Sequence, residues 1–267
     1  MKMGIGLIIV GDEILSGKRQ DQHLPKVISL LKERGLSLDW AEYVGDDRAR
    51  ITATLQRSFA SGDIVFSTGG IGATPDDHTR QCAAAALGVS VVLHSEAKRL
   101  IQERILETAS TADKPADLNS PDHLHRLKMG EFPEGAEIIP NPFNKIPGFA
   151  IRQHYFVPGF PVMAWPMIAW VLDTYYAHLF HQQPHEEKSV LVFEVAESTL
   201  TPTMEDLEQK YPQVKVFSLP SVGSETMRRH IELGVKGEPN QVQQAYLEML
   251  AVLDGFHMEY QSTAVAD

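Results

Sequence analysis

Apolar and polar positions alternate along the first ninety residues in two rhythms. Ile5–Val10 is a short, almost wholly apolar run closed by Gly11, the pattern of a central strand covered on both faces. Over residues 22–34, Leu24, Val27, Ile28, Leu30 and Leu31 recur at helical spacing, and Gly35 is placed to end the helix. A second strand is expected over 36–44 and a second helix over 49–60, with Ile51, Leu55 and Phe59 on one face. Ile64–Thr68 reads as the third strand, followed by a glycine loop and an alanine-rich helix over 75–87. Strands alternating with helices imply right-handed crossovers between parallel strands. The predicted class is therefore α/β, a three-layer open and mostly parallel sheet with helices on both faces.

Further along, 89–93 predicts a short edge strand. A helix over 95–108 carries Lys98, Arg99, Glu103, Arg104 and Glu107 on a solvated face. The polar, proline-bearing stretch 111–121 reads as a loop before a short helix near 123–128. Three short strands between Asn/Pro/Gly loops are expected within 136–161, and then a helix over 162–181. Trp165, Trp170, Tyr175 and Tyr176 in that helix are spaced for packing, in the core or at a subunit interface. After Gln182-Gln183-Pro184-His185 the pattern becomes βαββα, with strands at 189–195, 214–219 and 227–235 and helices at 203–210 and 241–253. The expected division is a first domain over 1–184 and a small α+β domain over 185–267, an antiparallel sheet with helices on one face.

Composition narrows the function classes. An apolar content of 43% over 267 residues is enough for buried cores. With 24 Lys and Arg against 35 Asp and Glu, the net charge of -11 argues against a nonspecific binder of nucleic-acid backbones. A local loop can still bind a nucleotide-sized phosphate. Cys82 is the single cysteine, which excludes an internal disulfide and a multi-cysteine zinc site, and it reads as a small buried hydrophobe. The amino-terminal apolar run is too short for a signal-peptide core, and no stretch approaches about 18 uninterrupted apolar residues. No membrane span and a cytoplasmic location are the expectation.

The candidate chemistry lies in the loops that follow the strands. Three glycines within four positions after Thr68, Gly69-Gly70-Ile71-Gly72, let backbone N–H groups approach a phosphate beside a helix start. In an open α/β sheet, ligands sit outside the carboxyl ends of the strands. The acids Asp12 and Glu13 after strand one, Asp46 after strand two, and Asp76 and Asp77 in the glycine loop should thus share one edge. Their hard oxygen ligands suit a divalent metal, Mg²⁺ or Mn²⁺, with a transition metal as an alternative. A plainer account also stands. Thr74 as N-cap, Pro75 at the first helical position and Asp77 three residues on form a variant capping box, and Asp46 could be only a cap for the next helix. His23, His78, His94, His123 and His125 share no metal-ligand spacing and read as surface or structural groups. Asn141, Pro158 and Gly159 mark turns.

Taken together, Gly11-Asp12-Glu13-Ile14-Leu15-x-Gly17, Val44-Gly45-Asp46, Thr68-Gly69-Gly70-Ile71-Gly72-x-Thr74-x-Asp76-Asp77-x-Thr79 and Val157-Pro158-Gly159-x-Pro161 resemble the molybdopterin-binding (MoaB/Mog-like) domain. The form resembled is the one at the amino terminus of CinA proteins. The likeness covers about residues 4–181, and the tail around Glu197-Ser198 is similar to the small middle domain of CinA. The nicotinamide-nucleotide amidase domain of full CinA proteins has no counterpart in this sequence. The resemblance implies a phosphorylated pterin or nucleotide ligand, a homo-oligomer, and, as in relatives that cleave ADP-ribose or FAD, a metal-dependent pyrophosphatase. It would place phosphate at Gly69, Gly70 and Gly72 with Thr68, Thr74, Asn141, Pro158 and Gly159 nearby, and catalysis at Asp77 and Asp46. The metal would lie among Asp12, Glu13, Asp46, Asp76 and Asp77. His23 stands where the family commonly has Asn, Phe160 replaces a proline, and Val162-Met163 replaces a Ser-Glu pair. Those departures keep two classes open, an enzyme and a binding module without turnover.

Overall fold

The computed structural model describes residues 3–111, 117–182, 186–224 and 227–263. It divides into two compact units, residues 1–180 and 181–267. The first unit opens with β1 (Ile5–Val10), a one-turn α1 (Asp12–Leu15), α2 (His23–Lys32), β2 (Trp40–Val44), α3 (Arg48–Ser61), β3 (Ile64–Thr68) and α4 (Thr79–Leu87). It continues through β4 (Val91–Leu93), α5 (Ser95–Thr111), α6 (Pro121–Leu127), β5 (Glu131–Pro133), β6 (Glu137–Ile139), β7 (Gly148–Ile151), β8 (His154–Val157) and α7 (Pro161–Tyr175).

The central sheet has the order β2-β1-β3-β8-β7-β6. The first four strands run parallel, whereas β7 is antiparallel to both of its neighbours. Period-two alternation sends the β1 and β3 side chains to opposite faces. Leu7, Ile9 and Phe66 pack with Val27, Leu31, Met167, Ile168 and Val171 of α2 and α7. Ile8, Val10 and Val65 pack with Ile51, Leu55, Cys82 and Ala83 of α3 and α4. Both faces are thus covered, and Ile5–Val10 is buried at every position. Cys82 is buried there as a small hydrophobe.

Three expectations change. The helix expected from residue 75 begins at Thr79, because Thr74–Asp77 forms a hydrogen-bonded turn of its own. The edge strand expected over 89–93 is not in the main sheet: β4 pairs only with β5, a strand the pattern did not predict because it is three residues long and ends on Pro133. Of the loop expected over 111–121, residues 112–116 lie outside the described residues, α5 runs to Thr111 and α6 begins at Pro121.

The second unit contains β9 (Glu186–Phe193), α8 (Glu197–Lys210), β10 (Val214–Ser221), β11 (His230–Gly237), α9 (Pro239–Gly255) and β12 (Tyr260–Ser262). Its sheet, β10-β11-β9-β12, is antiparallel throughout. Val190, Val192, Leu233 and Val235 meet Leu200, Leu207, Val242, Ala245 and Met249 of α8 and α9. Helix α8 starts six residues before the expected 203 and absorbs Pro202, and β12 adds a fourth strand that the sequence pattern did not show.

Candidate functional site

Parallel pairing sets Val10, Val44, Thr68 and Val157, the last residues of β1, β2, β3 and β8, at the same end of the sheet. The segments that follow them therefore stand side by side. Direct contacts join them: the Gly11 amide donates to the Val44 carbonyl at 3.0 Å and the Gly69 amide to the Val157 carbonyl at 3.1 Å.

The glycine loop is held by its carbonyls. Gly69 has φ +97, and a Cβ there would lie 2.2 Å from the Val10 carbonyl oxygen. Gly70 has φ +67, and its Cβ would lie 2.2 Å from Thr79 Oγ1. These positions need glycine for both conformation and space. The Gly69 carbonyl accepts from Thr79 Oγ1 at 3.1 Å and the Gly70 carbonyl from the Thr79 amide at 3.0 Å. Gly72 offers its carbonyl to Arg80 Nη2 at 2.5 Å, Ala73 to His125 Nε2 at 2.7 Å, and Thr74 to the Asp77 amide at 3.1 Å. By contrast, the amides of Gly70, Ile71, Gly72 and Ala73 donate to no protein acceptor among the described residues. A run of backbone donors whose carbonyls are tied down elsewhere is an anion-binding concavity.

The acids divide into two groups. Asp12 and Asp46 are cross-linked: Asp46 Oδ2 accepts from the Asp12 amide at 2.9 Å, and Asp12 Oδ1 from the Asp46 amide at 3.1 Å. Partial burial pushes the Asp46 carboxyl up, and the carboxylates of Asp12, Glu13 and Asp76 add to that, against the lowering effect of the Asp12 amide. The capping role considered for Asp46 belongs instead to Asp47, whose Oδ1 accepts from the Arg50 amide at 2.8 Å. Glu13 folds back over Gly11, where a Cβ would lie 2.7 Å from its Oε2. Asp77 sits in the glycine loop, and its Oδ2 accepts from both the amide and the hydroxyl of Thr74, at 2.8 and 2.5 Å. The Thr74–Asp77 pairing of a capping box is present, yet it closes a turn ahead of the helix. Asp76 is exposed. Among the described residues no three His, Cys, Asp or Glu side chains converge closely enough to hold a metal ion. The five acids expected to ligate one form no ready cage.

Of the remaining expected residues, Thr68 is buried at the end of β3 with its hydroxyl unpartnered. The Gly159 α-carbon approaches Gly69: a Cβ on Gly159 would be 3.4 Å from the Gly69 α-carbon. Asn141 is buried and spends its amide on its own loop, donating to the Ile146 carbonyl at 2.9 Å and accepting from the Phe143 amide at 3.0 Å.

Three contributors were not assigned to the site from the sequence, in which His23 and His125 read as surface or structural groups and Arg80 was not named. Arg80 is 2% exposed and reaches from α4 back to the glycine loop. His23 is buried, with Nε2 3.0 Å from the Gly159 carbonyl. His125 brings α6 onto the Ala73 carbonyl. For Arg80 and His23 a signal existed. Arg80 lies three and four positions before Ala83 and Ala84, and His23 four before Val27, so helical spacing puts both on buried faces. Nothing in the sequence marks His125. Beside α1, an open cavity of about 520 Å³ is lined by Ile14, Leu15, Gly17, Arg19, Gln20, Asp21 and Tyr43. The Tyr43 hydroxyl donates to Asp21 Oδ2 at 2.8 Å, and burial together with that carboxylate pushes the phenol up to about 12.

A parallel α/β sheet with a glycine loop and two acidic turns on its carboxyl edge defines a small-molecule-binding domain of the doubly covered type. Residues 6–178 match the family described as the probable molybdopterin binding domain, and the chain belongs to that family. A CinA-like protein of Anaeromyxobacter sp. (strain Fw109-5) is 29% identical over 256 residues, covering 89% of this chain and 60% of the relative. A CinA-like protein of Mycobacterium tuberculosis (strain ATCC 25177 / H37Ra) is 29% identical over 260 residues, covering 94% and 59%. The chain thus spans about three fifths of the length of these curated relatives. The solved structure of the protein CinA, of unknown function, from Thermoplasma acidophilum aligns with a TM-score of 0.54 at 24% identity, over 64% of this chain and 97% of that one. It shares the fold. Among the described residues no helix is long and apolar enough to cross a membrane.

Proposed function

We propose that the first unit binds a phosphorylated pterin or nucleotide, with a phosphate held by the amides of Gly70, Ile71, Gly72 and Ala73. The observation that carries this is the loop's division of labour. Five carbonyls from Gly69 to Thr74 accept internal hydrogen bonds, whereas four consecutive amides have no partner among the described residues. Family membership supports the ligand class. The open cavity beside α1 offers the Tyr43 ring and the Gln20 amide to the part of the ligand beyond its phosphates. Calorimetric titration with ADP, ADP-ribose and FAD tests the reading, with saturable binding expected for at least one. Binding by none of these and by no pterin phosphate would overturn it.

A second reading, cleavage of a nucleotide pyrophosphate, draws on the crowding of Asp46 by Asp12, Glu13 and Asp76. Such a cluster favours a ligand that arrives with its own divalent cation, Mg²⁺ or Mn²⁺, over a cage formed in advance. On this reading Asp46 and Asp77 are the acids assigned to the scissile linkage. Product analysis with ADP-ribose or FAD, with and without each cation, decides between turnover and binding alone. Cation-dependent product that survives in both Asp46→Asn and Asp77→Asn would remove those two residues from the chemistry.

A further inference from the structure

The strongest unexplained feature of the first unit is the state of Arg80. It occupies the second position of α4 with 2% of its surface exposed, and its guanidinium makes a single hydrogen bond, Nη2 to the Gly72 carbonyl at 2.5 Å. Nε and Nη1 are buried with no partner. Asp77 and Glu131 act on it electrostatically, but neither reaches ion-pair distance, and burial lowers its pKa. Arginine is chosen at buried sites because its planar fork is satisfied by a carboxylate or phosphate. A buried cation without an ion-pair partner is a costly arrangement in a folded chain. Here it lies directly behind the glycine loop, whose four consecutive amides have no partner among the described residues.

We propose that Arg80 is a positioning residue of the phosphate cradle whose counter-charge is the ligand's own phosphate. It fixes the Gly72–Ala73 peptide by holding the Gly72 carbonyl, so that the Ala73 N–H of that trans peptide points away from Arg80. Its positive charge then lies across a thin, dry layer of backbone from the bound anion, where little water screens it. Being enclosed, Nε and Nη1 do not touch the ligand. They strengthen the field at the amides and leave the unliganded protein with a buried charge that Asp77 and Glu131 offset only from beyond ion-pair distance. The inference rests on the reading of this loop as a phosphate site and names the residue that gives the site its sign preference.

Two variants separate charge from shape. Arg80→Met removes the charge and keeps much of the apolar stem, whereas Arg80→Gln also keeps a donor for the Gly72 carbonyl. Inorganic pyrophosphate and ADP serve as probes, read by calorimetry on the full chain and by thermal unfolding with and without probe. Both variants are expected to lose about tenfold or more in affinity for either probe. Their unliganded melting temperatures should equal or exceed that of the wild type, since a buried unpaired charge has gone. A merely structural arginine would give the opposite sign in that second readout. Affinity within about twofold of wild type in Arg80→Gln, or a lower unliganded melting temperature in both variants, would overturn the assignment. A third measurement needs no variant: in the wild type, the Arg80 Nε–H resonance should move on saturation with pyrophosphate, and a stationary resonance in bound protein would also overturn it. If the wild type binds neither probe, the phosphate-site reading falls and takes this inference with it; wild-type binding that Arg80→Gln leaves intact removes Arg80 alone.

Discussion

The two units solve the same problem differently. In the second, the polar groups brought into the core are paired: the buried Ser189 hydroxyl donates to Glu232 and meets Thr263 Oγ1, each at 2.7 Å. In the first, side-chain polar atoms of His23, Ser67, Thr68, Arg80, Gln81, His154 and Trp165 are buried without partners, and among the described residues of the second unit there are no such atoms. Three of these residues, Thr68, Arg80 and His23, belong to the glycine loop or contact its neighbours. Native interiors satisfy nearly all buried polar groups, so a concentration of exceptions marks where something else completes the structure. In the proposed function the first unit receives a ligand at its carboxyl edge. Its neighbour is a finished core.

The sharpest break of that comparison comes from the loop itself. Gly69→Ala places a Cβ 2.2 Å from a backbone carbonyl at φ +97, and should cost the first unit about 4 kcal/mol or more by chemical denaturation, abolishing ADP binding. A core lesion in the other unit should behave independently. Leu233→Ala, at a fully buried position of β11, is expected to lower that unit's stability by about 2–5 kcal/mol while ADP affinity stays unchanged. A parallel loss of affinity would show that the second unit is part of the site.

His154 sharpens the comparison from outside the loop. Burial, with Arg152 nearby, lowers its pKa to about 3, and its Nε2 lies 2.9 Å from Ser58 Oγ. Between about pH 6.5 and about 3 the unfolded chain takes up a proton that the folded chain refuses. Stability contributed by the neutral ring is thus present above that window and is lost as pH falls through it, by up to about 1.4 kcal/mol per pH unit. His154→Gln should flatten this slope in acid-unfolding curves of the first unit and leave the second unit's curve alone. The smallest effect is expected at the turn after β2. Asp47→Ala removes the α3 cap and should cost about 1 kcal/mol, whereas Asp46→Asn, which relieves carboxylate crowding, should cost nothing at neutral pH. Equal losses at both positions would mean that Asp46 is structural after all.

Much of the scaffold was legible from periodicity alone, because β1 and β3 are buried on both faces and α2 and α3 show one apolar stripe each. The shared carboxyl edge followed from the βαβ order, and the order predicted which loops would meet. Some short elements were not legible: β5 and β12 are three residues long and went unpredicted, and although a strand was expected at β4, nothing in Val91–Leu93 says that its partner is Glu131–Pro133. Thr74-Pro75-Asp76-Asp77 has the same spelling whether it caps a helix or closes a turn before one. Only the start of α4 at Thr79, beyond the turn that the Asp77 amide closes on the Thr74 carbonyl, distinguishes the two. The five acids read as one metal site, yet Asp12 and Asp46 lock onto each other's backbone and Asp77 serves the loop. Arg80 was readable in principle as a charge on an apolar helix face. Its unmet donors were not, because satisfaction is a property of the folded surroundings.

In the proposed function the unpaired amides of the glycine loop take a phosphate. A ¹⁵N–¹H correlation spectrum of the full chain, titrated with inorganic pyrophosphate and then ADP, addresses it residue by residue. The resonances of Gly70, Ile71, Gly72 and Ala73 should move furthest and saturate together. If the probes bind but these four amides stay in place while others move, the phosphate sits elsewhere and the account is wrong.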